Sequence, residues 1–232
     1  KSFAAKRKQS VKQASVTAMG GAYEFWSASA GAFHQKNNTA LALGVLSNNS
    51  GGQMQRGTRG YFHNHTISAS WKQFIDEHWD FSFRTAIDRR DFSAQNFYTT
   101  FASDTANEQV NSNWNHARLR YNKSRHQFSL DAGYKTAKDI FQFNPSSVAN
   151  NNRSKLLQLL LTDHYNVNNN TLISAGIQYQ NRSIRSNDRG NHSLNQIAGF
   201  VILNQKFNDI TLSPSLRVDH SEKRGTELVP QL

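Results

Sequence analysis

A two-residue rhythm of apolar and polar side chains constrains this chain more than any other feature. Phe128, Leu130, Ala132 and Tyr134 alternate with Ser129, Asp131, Gly133 and Lys135. Successive residues of a strand project to opposite faces, so such a segment is a strand with one apolar face and one wet one. The rhythm recurs in Ile173, Ala175, Ile177 and Tyr179 against Leu172, Ser174, Gly176 and Gln178. It returns in Ile210, Leu212, Pro214, Leu216 and Val218 against Thr211, Ser213, Ser215, Arg217 and Asp219. The fold therefore turns on which solvent each face meets, and the choice lies between a soluble sandwich and a membrane barrel.

Only 37% of the 232 residues are apolar and mean hydropathy is −0.70, which leaves little material for a dry core of this size. Four Trp, seven Tyr and fifteen Phe argue against disorder. Many aromatics, regular alternation and few other apolar residues fit a barrel with a polar interior. No apolar run reaches the roughly 18 residues of a transmembrane helix; the longest, 156–161, is broken by Gln158 and is strand-sized. The absence of cysteine excludes a disulfide framework and thiolate metal sites. A net charge of +11 would suit an anionic lipid, nucleic acid or acidic ligand. Apart from Lys6, Arg7 and Lys8, though, the basic residues are spread along the whole length.

Short polar turns at 36–39, 76–79, 122–125, 166–171 and 206–209 read as hairpin tips. They alternate with longer polar stretches at 47–60, 92–111, 137–153 and 185–191. One end of the sheet thus carries tight turns and the other long loops, the layout of outer-membrane barrels. Counting from Val11, the pattern predicts about eleven strands, the last over 210–221, with 228–232 the start of another. Segments 79–92 and 125–143 exceed the roughly 9–11 residues a strand needs to cross a bilayer, so they are expected to extend into the loop region. Trp71, Trp79, Tyr121, Phe128, Tyr165 and Phe207 fall near the short turns, as the aromatic girdle of a membrane barrel would.

Several stretches resemble one family, the TonB-dependent outer-membrane receptors, specifically vitamin B12 and ferric-siderophore receptors of Bacteroidetes type. The resemblance lies in the run from Asp91, Phe92 and Ser93 through Ala94, Gln95, Asn96, Phe97, Tyr98 and Thr99 after a strand. It continues in Ser183, Ile184, Arg185, Ser186 and Asn187, leading through Gly190, Asn191 and His192 into a new strand. Leu212, Ser213, Pro214, Ser215, Leu216, Arg217, Val218 and Asp219 are similar to a late mid-barrel strand, and Gly20, Gly21, Ala22 and Tyr23 to the tip of the first hairpin. The resemblance implies an all-β, antiparallel up-and-down meander, part of a 22-stranded transmembrane barrel. Residues 1–10 would be a linker after an absent plug domain, and 11–232 the first half of the barrel. The expected role is uptake of a bulky nutrient, a ferric siderophore or a cobalamin, across the bacterial outer membrane. The implied partners are outer-membrane lipid, the plug of the same full-length chain, TonB through that plug, and the nutrient itself, with no nucleic acid.

Candidate ligand residues follow from position. Arg84, Arg118 and Arg120 fall on the polar side of their alternation, which in a barrel faces the lumen, where a guanidinium could hold a carboxylate, a phosphate or an anionic siderophore. Pairing with interior carboxylates is the competing role for them. Arg89 and Arg90 precede the loop that carries the resemblance and are the stronger candidates, and Phe97, Tyr98 and Phe101 in that loop could stack on a flat ligand or hold the loop together. His63 and His65 lack a convincingly spaced third ligand and read as loop-end polar residues. No metal site, cofactor or catalytic motif is expected. The rivals are a soluble all-β module binding carbohydrate or nucleic acid, and a passive porin.

Overall fold

The computed structural model of the chain describes residues 10–55 and 57–231; Lys6, Arg7, Lys8 and nearly all of the expected linker lie outside them. The described chain is all-β. Its strands are β1 (Val11–Gly21), β2 (Phe25–Lys36), β3 (Thr39–Ser50), β4 (Met54–Gln55), β5 (Thr58–Arg59), β6 (Phe62–Phe74), β7 (Trp79–Ser93) and β8 (Asn107–Lys123). There follow β9 (His126–Gln142), β10 (Asn150–Asn168), β11 (Thr171–Ser186), β12 (Gly190–Phe207), β13 (Ile210–Leu212), β14 (Ser215–Ser221) and β15 (Gly225–Gln231). The main sheet is an antiparallel meander in the order β1-β2-β3-β6-β7-β8-β9-β10-β11-β12-β14-β15, with β13 also on β12 and β4-β5 a separate small hairpin. The expected eleventh strand is β13 and β14 together. They are split at Ser213 and Pro214, because proline brings no N–H to a ladder. The expected start of a further strand is β15, from Gly225 rather than Leu228.

Turns sort as the sequence predicts. The connections at 37–38, 75–78, 124–125, 169–170 and 208–209 share one end, and those at 22–24, 51–61, 94–106, 143–149, 187–189 and 222–224 the other. Asn37, Ser124 and Asn208 open three of the tight turns with positive φ, a conformation asparagine tolerates well. The loops are shorter than the polar stretches implied. Residues 150–153, expected as loop, continue the β9–β10 ladder, 137–142 extend β9 as expected for segment 125–143, and His63 and His65 stand at the loop end of β6. The ladder thus continues after the apolar alternation has ended.

The register assigns each residue to a face. Trp71, Phe83, Ala117, Ala132, Leu159, Tyr179 and Ile197 are directly opposed across seven neighbouring strands, and they form one apolar row. On the other face, Lys72, Ser82, Arg118, Asp131, Leu160, Gln178, Ala198 and Asp219 form a mostly polar row. A hollow of about 600 Å³ draws its lining from β3, β6, β7, β8, β9 and β10 and includes Ser68, Arg84, His116 and Gln158 of the polar face. One hollow spans six consecutive strands only on the inside of a curve, so the polar face is concave and the apolar face convex.

Every substantial contact between strands joins ladder partners, so the sheet is a single layer. Its buried apolar residues, among those described, are Ala94, Ala106 and Ala198. Val16 (81% exposed), Leu43, Ile67 and Ile177 stand out from the convex face instead. A soluble sandwich would have buried such residues between two sheets. The convex apolar rows of β7 run from Trp79 to Ile87, about 26 Å at roughly 3.3 Å per residue, close to the roughly 25 Å band of a membrane barrel. Trp79, Tyr121 and Phe128 are directly opposed at its turn-side border, with the Trp79 and Tyr121 rings 4.6 Å apart.

Candidate functional site

The concave wall carries both paired and unpaired cations. Three of its arginines have a carboxylate. Arg120 lies 2.7 Å from Asp80, Arg118 lies 2.6 Å from Asp131, and Arg217 lies 2.7 Å from Asp219. Asp131 also takes the ring Nε2 of His116 at 2.7 Å, and Arg217 donates to Gln178 at 3.1 Å. Charge-assisted forks of this kind fix the side chains against the wall. The cations Arg118 and Arg120 are thus brought together with acids of their own chain, which is the competing role the sequence allowed for them.

Other cations of the wall have no salt bridge among the described residues. Lys135 lies over the Trp114 ring at 3.8 Å. A hollow of about 570 Å³ beside it is lined by Lys135, Arg182, His192, Lys223 and Arg224, with no carboxylate in its lining. Arg182 donates to Gln180 at 2.6 Å, which holds the guanidinium without neutralising it. Sequence reasoning missed this cluster. Lys135 and Arg182 do sit on the polar side of their alternation, but 222–224 is joined to them only by the register of β12 with β14 and β11.

The loop 94–106 is folded around one buried acid. Asp104 (1% exposed) accepts from the backbone N–H of Asn96 at 2.9 Å and of Ala106 at 3.0 Å. Asn96 takes positive φ there. Tyr98 donates its hydroxyl to Glu108 at 2.9 Å and meets Phe141 edge-on at 5.1 Å, while Phe97, 4.9 Å from Tyr98, and Phe101 are exposed. Burial, then the bond to Glu108, pushes the Tyr98 hydroxyl up to about 12. Burial likewise raises Glu108 and Asp139, both on strand ends beyond the apolar band.

The sequence-predicted residues therefore divide. Phe97 and Tyr98 lie together, and Arg90 opens onto the concave face of β7 below their loop. Arg89 is on the convex face, opposed to His65 and Asn111. Arg118 and Arg120 are remote from the loop, since Val110, opposed to Arg90, is separated from Arg118 by about 26 Å of strand. His63 and His65 bond to Asn49 and Ser47 at 3.0 and 2.8 Å, and no group of three or more metal-ligating side chains occurs among the described residues.

No family model and no curated protein matches the chain. Solved structures do. The chain is similar to the siderophore receptor PirA from Pseudomonas aeruginosa (TM-score 0.67, 12% identity, 94% of this chain and 38% of that one). It is similar to the copper transporter OprC (0.75, 11%, 92% and 37%) and to the FrpB iron transporter from Neisseria meningitidis (0.69, 14%, 96% and 43%). These likenesses establish the fold, and the chain spans roughly two fifths of each of those structures.

Proposed function

We propose that this chain is part of the barrel wall of a TonB-dependent transporter in the bacterial outer membrane, taking up a bulky nutrient. A ferric siderophore is the leading ligand and a cobalamin the second. The observation that carries the reading is the division of the concave wall. Arg118, Arg120 and Arg217 are paired with carboxylates, whereas Lys135, Arg182, Lys223 and Arg224 have no salt bridge and line one hollow towards the loops, where a ligand arriving from outside would first meet the protein. The apolar convex band supports a membrane setting, and the likeness to receptors and transporters supports a carrier rather than an enzyme.

On this reading the loops capture the ligand and Lys135, Arg182, Lys223 and Arg224 attract its negative charge. Arg90, Phe97, Tyr98 and Phe101 form the rim that selects it, and Arg118 and Arg120 shape the passage below. Passage follows rearrangement of a plug driven through TonB, within a barrel completed to 22 strands; no covalent step is required. The test is tryptophan-quenching titration of the full-length protein with a panel of anionic and neutral ferric chelates and with cyanocobalamin. An anionic chelate is expected to bind, and Arg182→Gln with Arg224→Gln to weaken it by about tenfold or more, as loss of two charge-assisted contacts would. Absence of binding by every member of the panel, or an unaffected double variant, counts against the reading.

A further inference from the structure

The cations of the convex face present a contrast with those of the wall. Lys138 of β9, Arg153 of β10 and Arg185 of β11 are directly opposed in the ladder, three positive charges on consecutive strands. The same row continues through Asn111 to Arg89 on β7. Lys155 stands one row nearer the apolar band, beneath Arg153 on the same face. Like charges directly opposed across a ladder destabilise it. Yet among the described residues none of these five side chains has a salt bridge or a side-chain hydrogen bond. Asp163 is the single acid on the convex face of β9, β10 and β11, at the turn end and paired with His126 at 2.8 Å. Asp91, one row beyond Arg89, already accepts from Tyr61 and Gln109.

We infer that this row is a binding site for the phosphorylated headgroup of an anionic lipid in the loop-side leaflet. The inference rests on the membrane reading of the convex band. Position selects lipid as the occupant. The row lies on the loop-side border of the apolar band, with Tyr134 and Leu157 about two rows below Lys138 and Arg153. A molecule whose acyl chains lie along Leu157, Leu159 and Tyr179 carries its headgroup to the height of the cations. Neighbouring strands are about 4.8 Å apart, so Lys138, Arg153 and Arg185 span roughly 10 Å, within which one phosphate meets two or three of them. Such an anion removes the mutual repulsion that the ladder otherwise sustains.

The experiment uses the full-length protein in neutral phosphatidylcholine nanodiscs, titrated with bis-phosphorylated lipid A and with the same lipid dephosphorylated, and separately with inorganic phosphate. Saturable binding of the phosphorylated lipid alone is expected. Lys138→Gln, Arg153→Gln and Arg185→Gln together should weaken it about a hundredfold, at roughly fivefold for each cation near a membrane surface. Lys123→Gln, on the convex face at the opposite border, should change it less than twofold. Equal binding of the dephosphorylated lipid, equal competition by inorganic phosphate, or an unaffected triple variant overturns the proposal. Failure of the protein to enter phosphatidylcholine nanodiscs overturns instead the membrane reading beneath it. Circular dichroism of the triple variant separates lost binding from lost folding.

Discussion

Asp104 is the largest fully buried side chain among the described residues, although it belongs to a loop and is an acid. Its carboxylate satisfies two backbone donors that the fold of 94–106 would otherwise leave unpaired. An amide keeps only one acceptor, so Asp104→Asn should cost the loop about 1–3 kcal/mol. Faster hydrogen exchange at Asn96 or Ala106, with the barrel ladder unchanged, is the expected result; unchanged exchange at both would show the carboxylate to be dispensable. The same loop should respond to pH through Glu108 and Asp139. Both have folded-state values raised by burial, above ordinary values of 4.5 and 3.8, so the folded state holds their protons more tightly than the unfolded chain does. Their contribution is complete below those ordinary values and is lost as pH rises through the raised ones. Exchange of 94–106, corrected for its intrinsic rate, should therefore become faster as pH climbs from about 4. Slower exchange over that range would reverse the sign. Tyr98 acts likewise far higher, between its ordinary 10.0 and about 12.

At the scale of strands, β10, β11 and β12 interlock on the concave face through one small residue. A methyl group added at Gly176 would stand 2.5 Å from the Phe200 ring and 2.8 Å from the carbonyl of Leu161. Phe200 of β12 thus lies across β11, in space that only glycine leaves open. Gly176→Ala should destabilise the barrel by about 1–3 kcal/mol, the range for overpacking. Phe200→Ala in the same chain should recover part of that loss, since the Leu161 carbonyl stays in place. A urea-unfolding double-mutant cycle checks this, and simple additivity of the two changes would contradict it. Gly176 was legible in the sequence as a polar-side position, but its close contact was not, because the register of β11 on β12 exists only in the ladder. The middle parts of the strands were legible because one face is apolar and the other polar. The extension over 150–153 was not, because its run of polar residues lacks the alternation that marks a strand. Pro214 misled in another way: it kept the apolar rhythm while breaking the hydrogen bonding.

At the scale of the whole molecule, the two faces make opposite demands on solvent, and sequence neighbours separate them. Leu159, Ile177 and Ile197 lie on the convex face, and their chain neighbours Gln158, Gln178 and Gln196 on the concave one. The alternation made this division legible. It left the basic cluster of the wall invisible, because Lys135, Arg182 and Arg224 meet only when four strands and a turn curve together. In the bare chain Ile177 is 57% exposed and Ile197 is 50% exposed, whereas Gln178 and Gln196 are half-buried. Solvent exposure alone therefore predicts that cysteines on the convex face react fastest with a polar maleimide. A bilayer around that face reverses the order, because a thiolate does not form readily in hydrocarbon. The chain contains no cysteine, so a single substitution at any of these six positions supplies its one thiol. In proteoliposomes the three convex cysteines should label on the order of tenfold more slowly than the three concave ones. Equal or faster labelling of the convex set would mean that water bathes the apolar face. The barrel reading would then fail, however closely the backbone follows those of known transporters.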